Sequence, residues 1–334
     1  MRQLKVFGFR AVIMVLMCGI IGIVGGHHVL ADDSSEGSFF DKTVKIIIPY
    51  GAGGTHDVVS RKFAEVGSKY TKKPIICENV TGGDGIVAAI QFTKKPDNVK
   101  ELLCTSYGKY YQKIVRGDSI KLDLNEIRPI GIFDDRSYIL YVRSDTEFNT
   151  LEKLIEESKK REIILSAGAV GADAHLAFGG MIKVAGGQAR IASYEGGAQQ
   201  IAALLNGEAD VFVGTSQVGK QYVETGTVLP IATFKAVDYT GFEGIVVPNV
   251  VDAGYPKSAI TGGGFLSVRA GADEKTAQDV EALIRKVWSD PDFRDWMEGL
   301  GLNVFELYGE ELNSHIEAAT QNAKVAAQLL GLID

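Results

Sequence analysis

Residues 45–61, KIIIPYGAGGTHDVVSR, constrain this chain more than any other stretch. The β-branched apolar run at 44–48 reads as a strand buried on both faces, and Pro49, with no N–H for a ladder, ends its pairing. Gly51, Gly53 and Gly54 permit a tight turn with positive φ and leave backbone N–H groups uncovered. A helix follows, with Thr55 or Asp57 placed to cap it and Val58, Val59, Phe63 and Val66 forming its apolar stripe. Such a turn connects many βα units without binding anything. It also makes an anion site from backbone donors and a helix dipole. Nucleotide readings fail, because no Lys follows Gly54 as a phosphate-cradling loop requires, and His56 stands where a dinucleotide fingerprint needs its third glycine. A small carboxylate suits the turn better.

The formal charge of −7 and the lack of a Lys/Arg stripe argue against a nucleic-acid partner. An acidic protein that binds an anion must do so through local donors. With 334 residues there is chain enough for two well-cored domains. At the N-terminus, basic Arg2, Lys5 and Arg10 precede an apolar run at 11–24 and the small residue Ala31, which reads as a signal peptide over 1–31 cleaved near Ala31. Cys18 is a poor lipidation site because Met17 precedes it. The mature chain keeps Cys77 and Cys104, each in an apolar strand. Strand order 2-1-3 places these on either side of the first strand, roughly 10 Å apart, too far for a disulfide. Two buried free thiols are expected.

Glycine turns recur after short strands: 79–85 (NVTGGDG), 168–175 (GAVGADAH) and 194–197 (YEGG). Strands are expected at 74–78, 101–105, 128–133 and 138–142, with the polar turn 134–136 joining the last two. A second α/β series occupies 151–234. Residues 241–264 read as irregular, returning chain, before a strand at 265–268 and three helices. The two series echo one another. Ser106 and Tyr107 close the third strand at the edge where open α/β sheets place ligands.

Those four turns, in that order, resemble the solute-binding proteins of the tripartite tricarboxylate transporters, the Bug or TctC-like family, from about residue 43 to about 320. The family pattern P-[FY]-x-x-G-G-x-x-D is matched by Pro49, Tyr50, Gly53, Gly54 and Asp57. E-N-x-x-G-x-G is approximated by Glu78, Asn79, Gly82 and Gly85. G-x-x-G-x-x-x-H is matched by Gly168, Gly171 and His175. Y-x-G-G with a following V-D-like strand is matched by Tyr194, Gly196, Gly197 and Asp210. The resemblance implies an α/β, two-domain periplasmic-binding-protein fold of type II, the Venus flytrap, with a central sheet in each domain and a ligand cleft between them. Domain 1 is expected over 40–142 plus 261–334, and domain 2 over 143–260. The implied function is capture of a small organic acid, mono- or dicarboxylate and possibly aromatic, by a periplasmic monomer that delivers it to membrane components of the transporter, with no cofactor and no metal.

Ligand-binding residues are expected at Tyr50, Gly53, Gly54, Thr55, His56, Asp57, Ser106, Gly171, Ala172, Asp173, His175, Tyr194, Gly196 and Thr215. His56 can donate to a carboxylate, more strongly when protonated, or stand solvated in a helix's first turn. Asp57 and Asp173 are also natural helix caps, and His175 can brace its turn. The chain departs from the family at His56 and Glu195, and at Ala172 and Asp173, where a hydroxyl is usual. These changes leave room for a monocarboxylate, or for a ligand that also carries an amine or hydroxyl donor. Catalytic signals are weak: Ser216 lacks a nucleophile elbow, and His56, His175 and His315 are scattered. A secreted enzyme acting on a carboxylate, or a binding protein serving a sensor, are the alternative readings.

Overall fold

The computed structural model describes residues 37–260, 262–302 and 306–334. The expected signal peptide, its cleavage point and Cys18 lie outside the described residues.

Strand β1 (Val44–Ile48) sits inside its sheet, and its alternation feeds two cores. Val44, Ile46 and Ile48 enter one apolar cluster with Phe63, Leu283 and Trp288, while Ile47 joins another with Phe92 and Leu103. That is why isoleucines occupy three consecutive positions there, Ile46 to Ile48. α1 (Thr55–Gly67) leads to β2 (Ile75–Asn79), α2 (Ile86–Thr93) to β3 (Glu101–Ser106), and α3 (Tyr107–Arg116) to β4 (Ile127–Arg136). β2 and β3 lie parallel on either side of β1, in the 2-1-3 order common to doubly wound sheets.

The chain then crosses. β5 (Tyr138–Arg143) enters a second sheet, followed by α4 (Leu151–Lys160), β6 (Glu162–Ala167), a π turn at His175–Gly179, α5 (Gly180–Val184), β7 (Gln188–Ser193), α6 (Gly197–Leu205), β8 (Val211–Thr215), α7 (Ser216–Glu224) and β9 (Val228–Thr233). A short antiparallel hairpin, β10 (Tyr239–Phe242) and β11 (Ile245–Val247), occupies part of the stretch expected to be irregular. β12 (Gly262–Arg269) returns to the first sheet, and α8 (Glu274–Ser289), α9 (Pro291–Gly299) and α10 (Gly309–Leu329) finish the chain.

The two sheets run β2-β1-β3-β12-β4 and β7-β6-β8-β5-β9. In each, the fourth strand is antiparallel to both its neighbours and comes from the far side of a crossing. The echo between the two series is therefore a shared topology. The first crossing falls at Ser137, and β5 belongs to the second sheet. One expectation is corrected. Residues 134–136 are no turn but the end of β4, because β12 supplies Gly262–Gly264 as a distant ladder partner. α10 packs against α3, β4 and α5. Among the described residues no helix is long and apolar enough to cross a membrane.

Cys77 and Cys104 stand on β2 and β3, with β1 between, and both are free. Cys104 is buried, but Cys77 is only partly covered because β2 is an edge strand. Burial pushes the Cys77 thiol up to about 11 and raises that of Cys104 further. Since the thiolate is the reactive form, neither should titrate with a disulfide reagent at pH 8 within minutes while the protein is folded, and both should on denaturation. Rapid release of one thiol equivalent from folded protein would contradict this.

Candidate functional site

Four glycine turns end strands of the two sheets and meet at one cavity of about 90 Å³. The volume admits several waters or a ligand of few heavy atoms. The β1–α1 turn uses Gly53 at φ +80° and Gly54 as the helix N-cap. Gly54 has no side-chain cap, so the first N–H groups of α1 stay available. Asp57 does not cap α1 but braces the turn: its Oδ2 accepts from the Gly53 N–H at 2.9 Å, and its Oδ1 accepts from Arg61 Nε and Asn79 Nδ2, each at 2.9 Å. Burial opposes its charge, but these partners hold its carboxyl below the usual range.

Across the cavity, Gly196 at φ +108° starts α6 and Thr215 starts α7. The rims touch. Thr55 Oγ1 and Thr215 Oγ1 share a 2.6 Å hydrogen bond, and the Thr55 hydroxyl also donates to Gln217 Oε1 at 3.1 Å. Thr55 thus links the lobes and does not cap its helix. A Cβ added at Gly51 would stand 2.8 Å from the Glu195 carbonyl oxygen.

His56 is 8 % exposed, stacks on the Tyr50 ring at 4.1 Å, and lines the cavity. Its Nδ1 lies 3.0 Å from Arg136 Nη1. A guanidinium only donates, so Nδ1 is the acceptor and the neutral ring carries its proton on Nε2. That Nε2 is buried and finds no hydrogen-bond partner among the described residues. Burial first, then the charges of Arg136 and Lys109, hold His56 well below its ordinary pKa. The imidazolium form expected to bind more strongly is therefore not the one this site contains. Tyr50 donates to or accepts from Ser106 Oγ at 2.9 Å, and burial raises its phenol to about 12.

Residues 59–332 match the family described as tripartite tricarboxylate transporter family receptor. The chain belongs to that family. This receptor is 23% identical over 299 residues to a UPF0065 protein of Cupriavidus necator, covering 88% of this chain and 89% of the relative. An R. palustris protein solved with adipate superposes with TM-score 0.80 at 18% identity, covering 86% of this chain and 97% of that one. MatC from Rhodopseudomonas palustris with bound malate gives 0.76 at 16%, covering 86% and 98%. At these identities the structures establish the fold.

In this receptor the cavity brings together Tyr50, Gly54, Thr55, His56, Ala172, Asp173, Gly196 and Thr215. Gly53, Asp57, Ser106, Gly171, His175 and Tyr194 do not line it. His175 Nδ1 accepts from the Gly171 N–H at 3.0 Å, bracing the third turn. The Tyr194 hydroxyl donates to Glu208. Asp210, the motif acid, ties Arg161 and the Ile164 N–H and so staples the second sheet. Asp173 accepts from the Tyr138 hydroxyl at 2.5 Å.

Asp84, Arg136 and Tyr138 line the cavity without having been expected there. Asp84 had a signal in its place within the glycine turn 79–85, where it takes a positive φ (+53°). Its carbonyl accepts from buried Lys109, whose Nζ lies 3.7 Å from its carboxylate, and Gln112 donates to that carboxylate at 2.9 Å. Arg136 forms a two-pronged pair with Asp134, and both are buried. Burial works against the Arg136 charge, but Asp134 outweighs it and holds the guanidinium firmly charged.

Proposed function

We propose that this protein is a periplasmic receptor that captures a small organic acid between its two lobes and hands it to the membrane components of a tripartite tricarboxylate-type transporter. One observation carries the reading: a cavity where the N-termini of α1, α6 and α7 converge with the buried Nε2–H of His56, which has no partner among the described residues. Helix N-termini favour anions, and a buried neutral donor lacking an acceptor favours an oxygen ligand. Adipate and malate in structures of the same fold support a carboxylate. Export would follow from cleavage near Ala31. The lobes would divide near Ser137 and again between β11 and β12, and close over the ligand about those crossings. Binding, without chemistry, is sufficient for this role.

The test is a thermal-shift screen of the mature protein against mono- and dicarboxylates, aromatic acids and amino acids, followed by calorimetry. A ligand that binds only the folded state raises the midpoint by mass action. A saturable shift from at least one acid is expected; silence across every acid would end the receptor reading. A second variant locates the site. Gly51→Ala places a methyl against the Glu195 backbone, where only movement of a rim can make room. Its affinity should fall at least about tenfold with an unchanged circular dichroism spectrum. Unaltered affinity would place the ligand elsewhere.

A further inference from the structure

The charges around the cavity do not suit a plain dicarboxylate. Asp84, Asp134 and Asp173 face two cations, Lys109 and Arg136, so the ionised set carries one negative charge in excess. Glu195 adds to the repulsion felt by Asp84. His56 contributes no compensating charge, because Arg136 and burial keep it neutral. A second anion brought into this space must either meet that excess or arrive with a proton.

The donors and acceptors are also segregated. His56 and Arg136 stand on the first lobe, and His56 is nine-tenths buried with no acceptor for its Nε2–H among the described residues. Asp173 stands on the second lobe, after the turn at Gly171. Its Oδ2 takes the Tyr138 hydroxyl, and its carboxylate crosses the cleft to lie over Gly108, where even a Cβ would collide with it. Burial raises the carboxyl pKa of Asp173, although the Tyr138 hydroxyl and the charges of Lys109 and Arg136 oppose that shift.

We propose that the ligand is zwitterionic, an amino acid or a related ammonium carboxylate, whose carboxylate is received on the His56 side and whose ammonium is received by Asp173. This rests on the receptor reading and names the ligand class within it. The ammonium cancels the excess charge and gives Asp173 a cation in direct contact. The carboxylate gives the His56 Nε2–H its acceptor. Each lobe would then hold one end of the ligand, so a compound lacking either end would bridge the cleft poorly.

The experiment uses matched pairs that differ only by the ammonium: alanine against propionate, and aspartate against succinate. Calorimetry of the mature protein is run at pH 7 in two buffers of different ionisation enthalpy. The amino member of at least one pair should bind on the order of tenfold tighter or more, as a charge-assisted contact to a buried acid implies, and without net proton uptake. Asp173→Asn keeps the shape and should erase that preference. Asp173→Ser restores a hydroxyl and should turn the preference toward the plain acid. If the plain acids bind as well or better in the wild-type protein, with a proton taken up, Asp173 or Asp84 is neutralised by protonation and the zwitterion proposal falls while the receptor reading stands. If neither member of any pair binds and only compounds without a carboxylate do, the receptor reading falls with it.

Discussion

Arg136→Met should lower folding stability by about 3–5 kcal/mol, because it strands a buried carboxylate. Asp134 is fully buried, and its carboxylate receives both prongs of the Arg136 guanidinium and the Gly264 N–H at 3.1 Å. Removing the arginine leaves the charge with one backbone donor. It also deprives His56 Nδ1 of its donor, so the ring loses the bond that fixes its tautomer. Ligand affinity should fall together with stability. Urea unfolding of Arg136→Met, beside the double variant carrying Asp134→Asn, provides the check. The double variant should recover most of the stability, since the stranded charge is gone, but not the affinity. A single variant as stable as wild type would mean that water reaches Asp134. Arg136→Lys should rescue only part of either property, because an ammonium cannot reproduce the fork.

Trp288→Ala should cost a similar amount, about 3–5 kcal/mol, and leave binding untouched. Trp288 is fully buried on α8, packs edge-on to Phe293 at 5.2 Å, and donates its indole N–H to the Ile132 carbonyl at 3.0 Å. The alanine variant opens a void in the first core and orphans that carbonyl, so the melting midpoint should drop by on the order of 10 °C. Trp288 does not line the cavity. If Trp288→Ala proves too unstable to assay, Trp288→Phe gives a smaller drop with unchanged affinity. Affinity falling in step with stability in both variants would show that the first core and the cleft are coupled.

The contrast between these two residues explains what the sequence could reveal. Trp288 was readable because its neighbours Val280, Leu283, Ile284 and Val287 repeat with helical period on a single helix. The 2-1-3 order of the opening strands was readable because it is common to doubly wound sheets. Arg136 was not readable. Its strand partner enters from Gly262–Gly264, more than a hundred residues downstream, so the charged run 134–136 carried every local mark of a turn. His56 was visible as a candidate, but its protonation was not. That depends on Arg136 Nη1 reaching Nδ1 across a sequence separation of 80. Tyr194 was visible from its motif position, but that its hydroxyl donates to Glu208 was not, because the partner lies on the far side of α6.

The crossed topology fixes a schedule of assembly during synthesis. Every strand of the second sheet has been made once β9 ends at Thr233, so that sheet can close while the ribosome is still translating the rest. The first sheet cannot. Its β3 and β4 are made early but are joined only through β12, at Gly262–Arg269. Until β12 arrives, the nascent N-terminal portion presents the open edge of β3 and leaves β4 without a strand partner, and holds its apolar residues without α8 to cover them. The half of the molecule that is made first is completed last.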